Sequence, residues 1–123
     1  DIAIISVGHM FEEAVKTREL LKEAGYTCSL VNARFVKPMD EEMILQLAKE
    51  HKLIVTIEEN VQIGGYGEHV LEYISRNRLD TSVLILALPD QFIEHGSVGE
   101  LRKEIGLDAL SMKERIVTEY NRF

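Results

Sequence analysis

The chain has 123 residues, 46% of them hydrophobic and 28% charged, with a formal net charge of −7. That length allows one continuous core and not two, and the balance is that of an ordinary globular domain. The acidic surplus excludes a nucleic-acid binder, which needs clustered Lys and Arg, and no apolar run approaches the ~20 residues that span a bilayer.

The first apolar run, Ile2-Ala3-Ile4-Ile5-Ser6-Val7, starts directly after Asp1. A core-type strand with no slack before it carries the expectation of a piece cut from a longer protein, without a signal peptide. Gly8 follows, and then an amphipathic stretch from about His9 to Ala24 with Phe11, Ala14, Val15 and Leu21 on one face. Gly25 stands just past its end, where a helix terminus calls for positive φ. The second run is Cys28-Ser29-Leu30-Val31. Cys28 is the single cysteine, which excludes a disulfide framework. Its place in an apolar strand predicts buried, inert packing in a reducing, cytoplasmic compartment.

A connection bearing Phe35-Val36-Lys37-Pro38 leads to a helix predicted over Asp40 to Glu50, with Asp40 as N-cap and Met43, Ile44, Leu47 and Ala48 as its apolar stripe. The third run, Leu53-Ile54-Val55-Thr56-Ile57, runs into Glu58-Glu59-Asn60. The loop Gly64-Gly65-Tyr66-Gly67 then opens a helix with Val70, Leu71 and Ile74 at helical spacing. The fourth run, Val83-Leu84-Ile85-Leu86-Ala87, is ended by Pro89. Ser97 with Glu100 and Ser111 with Glu114 read as capping boxes of two C-terminal helices. Continuous rather than alternating apolar strands are covered on both faces, and their alternation with helices predicts a parallel sheet. The fold class is therefore α/β, a three-layer α/β/α sandwich.

Ligands in such folds sit beyond the carboxyl ends of the strands. Three places qualify: Gly8-His9, Glu58-Glu59-Asn60 and the Gly64 to Gly67 loop. That loop matches neither the Gly-x-Gly-x-x-Gly fingerprint nor the Walker pattern, so it reads as a tight turn with close helix packing, against a partner surface. Glu58 and Glu59 are adjacent on a strand and point opposite ways, which favours a hydrogen-bonding or contact role over an acid/base dyad. His9, His51, His69 and His95 lack metal-ligand spacing. His9 is the best placed of them, at a strand-to-helix turn, where capping or a surface role also fits. Gly-x-Ser-x-Gly is absent. No catalytic set, cofactor site or metal site emerges.

The motifs taken together are more specific. Val31 to Asp40 (Val-Asn-Ala-Arg-Phe-Val-Lys-Pro-Met-Asp), Ile57-Glu58-Glu59-Asn60 with Gly64-Gly65-Tyr66-Gly67, Leu88-Pro89-Asp90-Gln91-Phe92-Ile93-Glu94-His95-Gly96 and Ile105-Gly106-Leu107-Asp108-Ala109 occur in order along the whole chain. This set resembles the transketolase-type C-terminal domain, and within it the 1-deoxy-D-xylulose-5-phosphate synthases. The resemblance implies a parent transferase using thiamine diphosphate and magnesium to condense pyruvate with glyceraldehyde 3-phosphate, releasing carbon dioxide, in isoprenoid and thiamine biosynthesis. Cofactor, metal and catalytic residues of that family lie on two earlier domains, so none is carried onto this sequence.

What the resemblance implies here is a structural and dimerisation domain, inactive alone. Its partners would be the other domains of the parent chain and a second subunit of a homodimer. Glu58, Glu59, Asn60, Gly64, Gly65, Tyr66 and Gly67 are the interface candidates. The family sheet adds an antiparallel edge strand to parallel strands in the order second, first, third, fourth. Loss of that strand would leave a bare edge open to pairing between chains. Alternatives are the same domain of a 2-oxoacid dehydrogenase β subunit or a transketolase, and, from another class, a free-standing flavodoxin-like module binding an anion at Gly8 or Gly64.

Overall fold

A computed structural model describes residues 1–33, 40–61, 65–88 and 107–123. Strand β1 (Ile2–Val7) is buried at every position, as a central strand with no polar alternation demands. A 3-10 turn (Gly8–Met10) leads into helix α1 (Phe11–Glu23), which ends at Ala24 with Gly25 at φ +94°. Then come β2 (Cys28–Ala33), α2 (Glu41–Glu50), β3 (Leu53–Val61), α3 (Tyr66–Arg76), β4 (Ser82–Leu88) and α4 (Ala109–Tyr120). The four strands are parallel in the order β2-β1-β3-β4. The fold class and the strand order are those expected from the sequence.

Side-chain alternation divides the core into two layers, one on each face of the sheet. Ile2, Ile4, Leu53, Val55 and Ile57 pack with Ala14 and Leu21 of α1 and Met112 and Ile116 of α4. Ala3, Ile5, Val7 and Ile54 pack on the other face with Ile44 and Leu47 of α2 and Val70, Tyr73 and Ile74 of α3. The chain passes from β1 to β2 on one side and to β3 on the other, so the strand order reverses between β1 and β3. Their carboxyl ends lie in register there, Val7 beside Glu58.

Three local readings change. Phe11 is exposed and the buried stripe of α1 begins instead at Met10, continuing through Ala14, Thr17 and Leu21. The cap of α4 is Asp108, whose carboxylate accepts from the Ser111 amide at 3.3 Å, so Ser111 lies inside the helix and not at its start. Cys28 is only half-buried, because β2 is an edge strand paired to β1 alone among the described residues. Asp40 caps α2 as expected, accepting from the Met43 amide at 3.0 Å. The Phe35 to Pro38 connection, Gly64, Pro89 to Gly96 with His95, and the Ser97–Glu100 pair lie outside the described residues.

Candidate functional site

The carboxyl ends of the strands form a crest, and the topology brings two of the three sequence candidates together on it. The register sets Val7 beside Glu58, so Gly8 and His9 leave the sheet next to the Glu58-Glu59-Asn60 end of β3. Gly8 takes φ +71°, a left-handed conformation that turns the chain sharply, and it and His9 are exposed. The remainder of the third candidate, Gly65-Tyr66-Gly67, joins them through Glu58.

Glu58 is fully buried. Its Oε2 accepts a hydrogen bond from the Tyr66 amide at 3.0 Å, at the first residue of α3. Gly65, the N-cap of that helix, has no side chain to satisfy the leading amides. The carboxylate of β3 therefore supplies the cap from across the loop, a charge-assisted bond at the positive end of the helix. Burial is the largest influence on Glu58 and raises its pKa above the ordinary glutamate value. The Tyr66 and Gly67 amides and the nearby His69 imidazole pull it back, and Glu68 pushes it up. Glu59, the next residue along β3, is partly exposed.

Tyr66 fills the core under this turn at 1% exposure, and burial, then Asp40 and Glu58, push its phenol up to about 12. Gly67 is a contact position. A Cβ there would stand 2.5 Å from Thr56 Oγ1 and 2.8 Å from Ile85 Cγ2, so only glycine lets α3 close onto the sheet. That is the close helix packing expected from the glycine loop. Asn60 lies on β3.

Two features escaped the sequence reading. Thr56, in the middle of an apolar run, places a buried hydroxyl without a hydrogen-bond partner on the Glu58 side of β3, and Glu58 Oε1 is likewise unpartnered. The second is the pair Phe11, 38% exposed, and Leu110, 56% exposed, in the first turns of α1 and α4. Both helices start at the crest: α1 follows β1 directly, and the far end of α4 reaches the opposite edge, where Tyr120 stacks edge-on against Tyr26. A complete stripe at Met10, Ala14, Thr17 and Leu21 was the signal that Phe11 was superfluous to the core.

Other polar arrangements serve the scaffold. His51 closes α2, its Nδ1 donating to Leu47 O at 2.9 Å, which leaves Nε2 to accept from Ser29 of β2 at 2.9 Å. Thr81 donates to Ala48 O at 2.6 Å. A cavity of about 450 Å³ borders Leu84, Ser111, Glu114, Arg115, Thr118 and Glu119, and one of about 310 Å³ borders Ala48, His51, Lys52, Asp80, Thr81 and Phe123. Neither borders Gly8, His9, Glu58, Glu59 or the turn from Gly65 to Gly67. Among the described residues, no three His, Cys, Asp or Glu side chains group as metal ligands, and no helix is long and apolar enough to cross a membrane.

A family model described as the C-terminal domain of transketolase matches residues 1–112. The chain is 47% identical over 116 residues to a 1-deoxy-D-xylulose-5-phosphate synthase of Brevibacillus brevis, covering 94% of this chain and 18% of that protein. It is 42% identical over 119 residues to the synthase of Caldanaerobacter subterraneus, covering 97% of this chain and 19% of that one. The chain thus spans about a fifth of the length of these relatives. A split-gene transketolase, solved as an inactive β4 tetramer, superposes with a TM-score of 0.85 at 27% identity, over 96% of this chain and 37% of the other. A transketolase mutant from Pichia stipitis superposes with a TM-score of 0.65 at 19% identity, over 96% of this chain and 16% of that one.

Proposed function

Since the chain belongs to the transketolase C-terminal-domain family, we propose that it is the C-terminal assembly domain of a longer 1-deoxy-D-xylulose-5-phosphate synthase. The observation that carries this reading is the identity of 42–47% to synthases over 94–97% of the chain, set against 19–27% to the transketolases above. A transketolase or dehydrogenase parent is correspondingly disfavoured. The parent would be a cytoplasmic homodimer that uses thiamine diphosphate and magnesium to join pyruvate to glyceraldehyde 3-phosphate with loss of carbon dioxide.

The described residues do not fit that cofactor. A diphosphate needs converging donors and a metal ligand set. The first turn of α3 offers amides, but Glu58 already occupies Tyr66 N–H, and Glu68 adds a second acidic group beside it. The same crowding of carboxylates weighs against the free-standing anion-binding module. Cofactor and catalysis are therefore assigned to the rest of the parent.

The role left to this chain is docking. Phe11 and Leu110 supply exposed apolar anchors on the crest. Glu59 and the backbone of Asn60 belong to the same surface, and Glu58, Gly65, Tyr66 and Gly67 shape it from beneath. Incubation of this chain with thiamine diphosphate, magnesium, pyruvate and glyceraldehyde 3-phosphate is expected to yield no 1-deoxy-D-xylulose 5-phosphate. Turnover by the chain alone would overturn the assembly reading.

A further inference from the structure

The two edges of the sheet are unlike. β2 carries exposed Ser29 and Asn32, and its Ser29 hydroxyl is engaged by His51. β4 reads Ser-Val-Leu-Ile-Leu-Ala-Leu, with no charge and no proline, and among the described residues it pairs with β3 alone. Its register on β3 is regular from Ser82 to Leu86, so no bulge breaks that stretch. Charges, prolines and bulges are the devices that keep an edge strand from pairing, and this stretch has none of them. Val83, Leu84, Ile85 and Ala87 are half-buried, whereas β1 is buried throughout.

The cavity of about 450 Å³ lies beside this edge, with Leu84 on one side and α4, from Ser111 to Glu119, on the other. Glu114 and Arg115 are exposed there, and among the described residues neither has an ion-pair partner. Glu119, by contrast, is held by Arg122 at 3.2 Å.

We propose that β4 pairs antiparallel with β4 of a second copy of this chain, continuing the sheet across a two-fold axis. Successive residues point to opposite faces, so opposed positions must share a face, and the axis must pass through a residue and not between two. Centring it on Ile85 is the register that uses the whole strand, Ser82 to Leu88. Leu84 of each copy then stands opposite Leu86 of the other on the face covered by α1 and α4. Val83 stands opposite Ala87 on the face covered by α2 and α3.

The same axis matches the helices. α4 starts at the crest and runs antiparallel to β4, and its midpoint falls between Glu114 and Arg115. Because Leu84 borders the stretch from Ser111 to Glu119, the middle of the helix lies level with the middle of the strand. Two copies of α4 therefore flank the seam in opposite directions, and Glu114 of each faces Arg115 of the other. A two-fold contact repeats each such pair, so both exposed charges are met twice. This self-complementary charge, on the axis that the strand register selects, favours a second copy over an unrelated strand. The crest stays free, so the pairing goes beyond the docking role and does not depend on it.

Sedimentation equilibrium of this chain, from micromolar to millimolar concentration, is expected to show the 14.0 kDa monomer giving way to a particle of twice that mass. Hydrogen exchange in residues 82–88 should slow as the concentration rises, while residues 28–33 of β2 keep a constant rate. Glu114→Arg and Arg115→Glu each set like charges face to face, and each should weaken the dimer about tenfold, two ion pairs being lost. The double variant Glu114→Arg/Arg115→Glu rebuilds both pairs in reverse and should return the dissociation constant to the wild-type range. Both side chains are exposed, so the fold does not depend on them, and unchanged denaturant midpoints check this. A monomer at every concentration overturns the pairing. So does protection at β2 in place of β4, or a dissociation constant indifferent to the two single reversals.

Discussion

Gly67 is the residue on which the crest closes. With Thr56 and Ile85 atoms at 2.5–2.9 Å from its missing Cβ, Gly67→Ala forces α3 off the sheet. The expected cost is about 1–3 kcal/mol, the range for overpacked cores, read as a lower denaturant midpoint with an unchanged slope. An unchanged midpoint would mean that the helix accommodates a methyl group. Cys28 makes a chemical prediction. Burial pushes its thiol up to about 11, against the pull of Arg18 and the N-terminal amine. Two units above an ordinary thiol leave roughly a hundredfold less thiolate at neutral pH, so iodoacetamide should alkylate the folded chain far more slowly than the unfolded one. Equal rates would show a reactive cysteine. The close packing at the glycine turn was legible in the sequence, because it follows from local geometry. The unsatisfied Thr56 hydroxyl was not, since a threonine inside a β-branched run is what strand propensity alone would place there.

The helices depend on their caps. Asp40 accepts from Met43 N at the start of α2, and Asp108 from Ser111 N at the start of α4. Asp40→Ala and Asp108→Ala should each cost about 0.5–2 kcal/mol, measured by urea denaturation. Ser111→Ala, which would remove the cap that the Ser-x-x-Glu pattern suggests, should cost less than Asp108→Ala, and the reverse order would restore the sequence-based reading. That pattern misled because two cap-competent residues stand three apart, and only the packing of Leu107 and Met112 into the core selects the earlier one. α1 shows the same limit. A helical period places an apolar face to within one residue, and the sheet beneath decides that Met10 goes inward and Phe11 outward.

At the scale of the whole molecule, the parallel sheet and its two helical layers were legible because buried strands and helical periods are properties of the chain itself. Of the proposed docking surface, the sequence pointed to Glu58 to Asn60 and the glycine turn and not to Phe11 and Leu110. A partner face is written in what the domain leaves uncovered, and Phe11 and Leu110 become visible as uncovered only once the helices are placed. The central claim is that the carboxyl-end crest docks on the remainder of a longer synthase. Hydrogen exchange of the segments 8–12, 57–61, 65–67 and 107–111, compared between this chain alone and the longer parent, tests it most directly. The account predicts exchange slowed at least about tenfold in those segments within the parent, as for amides sealed by a stable interface. Unchanged exchange along the crest, with new protection at the opposite end around 51–52 and 79–82, would contradict it.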